Sequence, residues 1–320
     1  MICSGRRAPR FAALLVVPVL LVGSALAGCS AEAQAGVAEG TVDVMASFYP
    51  LQFVAEQVGG DRVTVRSLTP PGAEPHDVEL SPAQVSRLDR ADLVVYLSGF
   101  QAAVDDAVAL TSPDHVVDAA QDTTLLTSAQ EHTQQDASGD PLADEHDRSA
   151  LDPHFWLDPT RMPPLVQDVA DALSEIDPSG AAQYAANAAS LTTRFEDLDA
   201  AYTDGLTTCR TRTFVTSHAA FGYLAGRYGL QQVGISGIDP EAEPSPARLA
   251  AVEKIVRHED ISTIFFESLV SPKVAETLAS DLGITAAVLD PIEGLADRSD
   301  DYFSIADRNL DSLRTALECS

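Results

Sequence analysis

The sequence predicts an α/β protein of two lobes, each a parallel sheet flanked by helices, joined by one long linker helix. Three observations carry that expectation. Helical and strand patterns alternate along the chain from about residue 41. A single long helical stripe separates two such stretches. The chain has 320 residues, 45% of them hydrophobic and 21% charged, which suits two ordinary domains and is too apolar for a disordered chain.

Residues 1–28 stand outside this fold. Arg6, Arg7 and Arg10 form a basic start, and Phe11 to Leu26 is an apolar stretch shorter than the roughly 20 residues of a membrane helix. It runs into Leu26-Ala27-Gly28-Cys29, which resembles the bacterial lipobox. That resemblance implies a lipoprotein signal peptide cut before Cys29, and lipid on the cysteine. The mature chain would then be extracytoplasmic and anchored to the bacterial cell membrane through Cys29. Residues 29–40 read as a tether.

The N-terminal lobe is expected over residues 41–177. Val42 to Ser47 reads as a strand, and Pro50 to Val58 as a helix stopped by Gly59-Gly60. Val63 to Leu68 is a second strand. Ser81 followed by Pro82 has the form of a helix cap with proline in the first turn, opening a helix to about Arg90. Asp92 to Leu97 is a continuous apolar strand of the kind buried on both faces. Residues 120–150 are acidic and polar with almost no apolar period, and read as a mobile surface loop.

Asp177-Pro178 then starts the linker helix, expected over 178–206. Tyr184, Ala188, Leu191, Phe195, Leu198 and Tyr202 form one apolar stripe at helical spacing. A helix of that extent runs about 43 Å at about 1.5 Å per residue. The C-terminal lobe, over 207–320, restarts the alternation. Its strands are Thr213 to Ser217, Ile261 to Phe266 and Ile284 to Leu289, and its helices Ala219 to Tyr228, Pro246 to His258, Pro272 to Leu282 and Tyr302 to Leu317.

Charge and cysteine content narrow the function. Asp and Glu number 48 against 20 Lys and Arg, a formal charge of −28. Nucleic acid and anionic membrane surfaces draw on basic patches, so neither is an expected partner. A cationic ligand is compatible. Cys209 and Cys319 are the only cysteines after Cys29. In an oxidising compartment such a pair suggests a disulfide, with two buried thiols as the alternative.

Three histidines sit in loops beside predicted strands or helices. His76 lies in Gly72-Ala73-Glu74-Pro75-His76, His154 in Asp152-Pro153-His154-Phe155-Trp156-Leu157-Asp158-Pro159, and His218 directly after Thr213 to Ser217. Asp290 follows the strand Ile284 to Leu289, in Leu289-Asp290-Pro291. Loops at the carboxyl ends of parallel strands form ligand crevices, so groups from the two lobes can meet in one cleft. Spacing alone leaves a metal site and a set of ordinary hydrogen-bonding side chains both open.

These motifs, with Ser217-His218-Ala219-Ala220-Phe221-Gly222-Tyr223-Leu224 and its continuation to Leu230, resemble the zinc-type (ZnuA/TroA-like) solute-binding proteins of metal ABC transporters. The similarity covers about residues 41–318. It implies one metal held between two α/β lobes, with His76, His154, His218 and Asp290 as ligands. Three imidazoles and a carboxylate suit tetrahedral Zn²⁺, and imidazole favours zinc over manganese. The implied function is capture of Zn²⁺ and its delivery to an ABC permease for import. The implied partners are the zinc ion, that permease and, where one loads the site, a zinc chaperone.

Glu267 follows a strand in Phe265-Phe266-Glu267-Ser268 and reads either as a carboxylate orienting a ligand imidazole or as a surface acid. His115 and His258 read as structural, His115 as the opening of a strand after Pro113-Asp114 and His258 as a cation at a helix end. The acidic loop holds His132 and His146 where relatives carry a His-rich tract, and reads either as a weak metal collector or as a solvated loop. The alternatives are a manganese-binding protein or adhesin of the same family, and a zinc hydrolase. The last lacks an H-E-x-x-H motif, and four protein ligands would close the position that a catalytic zinc keeps open. No enzyme activity is expected.

Overall fold

The computed structural model describes residues 40–121, 123–127 and 151–320. The leader, Cys29, the tether up to residue 39 and residues 128–150 of the acidic loop lie outside the described residues. Two four-stranded sheets, each wholly parallel, form the two halves of the fold.

The first sheet comprises β1 (Val42–Ala46), β2 (Val63–Ser67), β3 (Leu93–Tyr96) and β4 (Val116–Asp118), in the order β2-β1-β3-β4. The central strands β1 and β3 are almost wholly buried, because helices cover both faces. These helices are α1 (Tyr49–Gly59), α2 (Pro82–Leu88), α3 (Ala102–Thr111) and α4 (Met162–Ile176). Ser81 caps α2 as its sequence suggested: its hydroxyl accepts from Gln84 N, and the Gln84 side chain accepts from Ser81 N.

The second sheet comprises β5 (Thr213–Thr216), β6 (Gln231–Gly234), β7 (Thr263–Phe266) and β8 (Thr285–Val288), in the order β6-β5-β7-β8. The winding is that of the first sheet. In each, the second strand lies on one side of the first and the third strand on the other. That switch opens a crevice at the carboxyl ends of β1 and β3, and another at those of β5 and β7. Around this sheet pack α6 (Gly222–Tyr228), α7 (Pro246–His258), α8 (Lys273–Leu282) and α9 (Tyr302–Ala316).

Between the halves runs α5 (Ala181–Gly205), 25 residues and about 37 Å long. Its buried residues are the six of the apolar stripe. It starts three residues later than its sequence suggested. Asp177 does not cap it; its carboxylate accepts from Ser179 N and Oγ and from Arg62 and Tyr184 Oη, so it builds the preceding turn. The far end of α5 reaches the second half, where Tyr202 Oη donates to Ala306 O at 2.7 Å. Phe195 packs against Tyr302 and Phe303, and Phe53 of α1 stacks on Tyr302 with 5.6 Å between centroids. One hydrophobic cluster therefore runs through both halves.

Three elements exceed the sequence expectations, α3, α4 and β6, while β4 is the strand that follows His115. The two strands are short edges, and β6 carries two glutamines. α6 begins at Gly222 instead of Ala219, because Ala219 N donates to Gly237 O and Phe221 N to the Gln232 side chain. The base of the acidic loop belongs to the fold. Leu126 N donates to Tyr223 Oη at 2.7 Å, and Thr127 bridges to Leu151.

Cys209 and Cys319 are joined by a disulfide. It pins the chain after α9 to the chain before β5, across a separation of 110 residues. Such a loop limits the unfolded chain, an effect of about 4–5 kcal/mol at most. A Cys209→Ser, Cys319→Ser variant is expected to lose about 2–4 kcal/mol in denaturant unfolding, with unchanged metal stoichiometry. Deletion of residues 128–150, sparing the base of the loop, is expected to leave the melting temperature and metal stoichiometry unchanged, as read by thermal scanning and metal analysis.

Candidate metal centre

His76, His154, His218 and Glu293 each offer one atom to a common point, all four within 4.8 Å of one another. His154, His218 and Glu293 are buried and His76 nearly so. Glu293 Oε1 lies 2.9 Å from His154 Nε2, 3.5 Å from His76 Nε2 and 3.6 Å from His218 Nε2.

Each group is placed by a separate device. His76 lies on the loop that follows β2. Gln101, buried at the start of α3, grips that loop by donating to Thr69 Oγ1 and Pro75 O. The Phe100 ring stands edge-on to His76 at 4.7 Å. His154 opens a short 3-10 turn, Phe155–Leu157. Asp152 Oδ1 accepts from its backbone N at 2.9 Å and from Nδ1 at 2.6 Å. His218 follows β5, and its carbonyl is held by Thr216 Oγ1 and Gln232 Nε2. Glu267 follows β7, the neighbour of β5, and its Oε1 accepts from His218 Nδ1 at 2.7 Å and from Ser217 Oγ. A carboxylate oxygen only accepts, so it holds the proton on Nδ1 and turns Nε2 inward. Glu267 thus contacts the His218 ring and is not a surface acid.

Asp290 is not in the cluster, contrary to the sequence expectation. Its Oδ1 accepts from Ile292 N at 2.8 Å, and its Oδ2 accepts from Ser268 Oγ. Asn309 of α9 brackets it, donating to Asp290 O and accepting from Asp290 N. Asp290 therefore builds the turn, and the turn delivers Glu293 three residues later. The sequence reading took the carboxylate nearest the strand end. The missed signal was a second acid in Asp290-Pro291-Ile292-Glu293-Gly294. Asp152 and Glu74 were missed as well. Glu74 Oε2 accepts from His76 N at 2.9 Å, and Oε1 lies 3.9 Å from His76 Nε2. His115 and His258 stand away from the cluster; His258 is exposed and pairs with Glu259.

The electrostatics follow from these contacts. Burial alone lowers the pKa of His218, but Glu267 and Glu293 reverse this and push it up to about 10. Burial likewise opposes the charge on His154, and Asp152 with Glu293 raises its pKa above the ordinary value. His76 is lowered by burial, only partly offset by Glu293. Burial would raise Glu293, but the three imidazoles hold its carboxyl well below the usual range. Glu74 is pushed up to about 7 by burial and by the acids beside it. The site is a buried, preassembled nest of nitrogen and carboxylate donors, suited to a small divalent cation.

Residues 44–316 match the ZnuA family, described as "Zinc-uptake complex component A periplasmic". The chain belongs to the ZnuA family. It is similar to the zinc-binding protein AdcA of Streptococcus pyogenes serotype M3 (strain ATCC BAA-595 / MGAS315), 36% identical over 299 residues, 90% of this chain. It spans only 58% of the length of that relative. It is similar too to the high-affinity zinc uptake system protein ZnuA of Bacillus subtilis (strain 168), 33% identical over 302 residues, 91% of this chain and 93% of that one. Among solved structures it resembles the Zn(II)-bound ZnuA-like domain of Streptococcus pneumoniae AdcA, with a TM-score of 0.72 and 33% identity, covering 87% of this chain and 100% of that one. It also resembles Lmb, the laminin-binding protein of Streptococcus agalactiae, described as bifunctional with adhesin and metal transporting activity. The TM-score there is 0.75 and the identity 32%, over 87% of this chain and 99% of Lmb. The two-lobe architecture is thus that of the ZnuA family.

The protonation pattern makes a prediction. With His218 raised to about 10, its imidazole is charged at pH 7 in the metal-free protein. A cation taking Nε2 must expel that proton. Binding at pH 7 is therefore expected to release at least one proton. Apparent affinity should rise about tenfold or more per pH unit from 6 to 8, and keep rising above the pH at which imidazoles of pKa about 6.5 would level off. Calorimetry in buffers of different ionisation enthalpy measures the proton count, and a count of zero would refute the assignment.

Proposed function

We propose that this protein captures Zn²⁺ outside the cytoplasm, between its two lobes, and delivers it to the permease of an ABC transporter. The observation that carries the reading is the convergence of three imidazole nitrogens and the Glu293 carboxylate on one buried point. A tetrahedral zinc with bonds of about 2.0–2.2 Å has donors about 3.3–3.6 Å apart. The distances from Glu293 Oε1 to the three nitrogens, 2.9 to 3.6 Å, are already close to such an edge. Imidazole-rich donors favour zinc over manganese.

The arrangement supports binding over catalysis. Four protein donors complete a tetrahedron and leave no open position for a reactive water. Among the described residues no helix is long and apolar enough to cross a membrane. The lipobox-like segment ending in Cys29 then supplies the anchor in this reading, and the zinc-binding and zinc-uptake names of the relatives agree with it.

Zinc titration of the chain from Ser30 onward tests the assignment. One zinc per chain and a raised melting temperature are expected, since a ligand that binds only the folded state stabilises it. Glu293→Ala and His154→Ala are each expected to weaken binding by about 100-fold or more, from loss of a ligand. Asp290→Asn keeps the acceptor for Ile292 N and should cost less than about tenfold. His258→Ala should change nothing. Glu267→Ala, which frees the His218 ring, should cost about 10–100-fold. Equal losses for Asp290→Asn and Glu293→Ala would overturn the choice of fourth ligand.

A further inference from the structure

The carboxylate at the centre of the site stands on a backbone conformation that its sequence does not favour. Ile292, immediately before Glu293, has φ of +58°. That left-handed region is costly for a β-branched side chain, and persists only where the surroundings enforce it. Ile292 is itself buried. Ser268 and Asn309 anchor the turn at Asp290, and two further hydrogen bonds hold it at Pro291 and Ile292. One is internal, from Ile292 N to Asp290 Oδ1. The other comes from the opposite half of the protein: Trp156 Nε1 donates to Pro291 O at 2.8 Å.

The donor in that second bond has no freedom of its own. Trp156 is fully buried and is the chain's only tryptophan. Its ring packs against Phe48 at 4.9 Å, Phe100 at 6.0 Å and His154 at 5.1 Å between centroids. Its carbonyl accepts from Tyr302 Oη. It lies two residues from His154, on the 3-10 turn that this histidine opens. The same rigid segment thus carries one imidazole and, through the indole N–H, grips the turn that carries the carboxylate.

We propose that Trp156 is a positioning residue for Glu293, and that its single hydrogen bond to Pro291 across the two lobes sets how long the zinc stays bound. When the bond is made, the Pro291–Ile292 turn is locked in its strained form and Glu293 faces the imidazoles. When it breaks, as the lobes part, the turn relaxes and the carboxylate leaves with it. Release therefore starts at a contact that does not touch the metal.

This rests on Glu293 being a zinc ligand, and the experiment separates the two claims. Zinc release from the chain starting at Ser30 is timed by stopped flow with a chelator, in a double-mutant cycle of Trp156→Phe and Glu293→Ala. Glu293→Ala alone must speed release; a wild-type rate there would overturn the ligand assignment. Trp156→Phe keeps an aromatic ring and loses the donor, and is expected to speed release about 10- to 100-fold. In the Glu293→Ala background it is expected to change the rate less than about twofold. Equal acceleration in both backgrounds, or none in the wild type, would overturn the positioning role. Tyr302→Phe, which loosens the same segment without touching Pro291, is expected to lower the melting temperature and leave the release rate within about threefold. Should Trp156→Phe misfold, β-(3-benzothienyl)alanine at position 156 keeps the bicyclic shape, replaces the N–H by sulfur, and is expected to give the same cycle.

Discussion

Two imidazoles can aim the same nitrogen at one point only if their other nitrogens are tied down. Asp152 does this for His154 and Glu267 for His218, at 2.6 and 2.7 Å. Much of the architecture serves these two contacts. Glu267 reaches His218 because β5 and β7 are paired and parallel, with their carboxyl ends level. Asp152 reaches His154 because a turn follows it at once and folds the ring back on the acid. What remains at the centre is a set of buried donors. The Nε2 atoms of His76 and His218 and Oε2 of Glu293 are buried without hydrogen-bond partners. Unpartnered buried polar atoms each cost about 1–3 kcal/mol. A scaffold that holds them together in spite of this cost is preorganised for a cation that satisfies them at once.

The sequence carried most of this arrangement, and the parts it hid have physical reasons. The histidines were legible because each lies in a distinctive loop next to a regular element, and those loops share one end of the fold. The stripe on the long helix was legible residue by residue, since burial on one face of a helix leaves a regular record. Its start was not, because Asp177 and Pro178 serve a turn as readily as a cap. The fourth donor was hidden for a related reason. Asp290 occupies the expected place after a strand, but its carboxylate is spent on Ile292 N and Ser268. Nothing in an isoleucine announces a left-handed conformation, so the turn that carries Glu293 inward has no local signature. The edge strand β6 is too short for alternation to be read.

The two halves have separate sheets but not separate cores. Phe53 from one, Tyr302 and Phe303 from the other, and Phe195 from the helix between them form one aromatic joint. Arg194 lies over the Phe303 ring at 3.9 Å, at the edge of this joint. The joint sits along the shared helix, while the donor cluster sits at the strand ends. The halves are tied at the strand ends as well, where Tyr223 Oη donates to Asp152 O and Tyr302 Oη to Trp156 O.

The solitary tryptophan gives the molecule a built-in optical probe. All indole emission comes from one buried ring that touches His154 and is hydrogen-bonded to the turn bearing Glu293. A protonated imidazole at that range quenches an excited indole, and loss of the N–H contact shifts its emission. The colour and intensity of the protein's own fluorescence therefore report the charge on one histidine and the closure of one contact, with no average over other sites to dilute them.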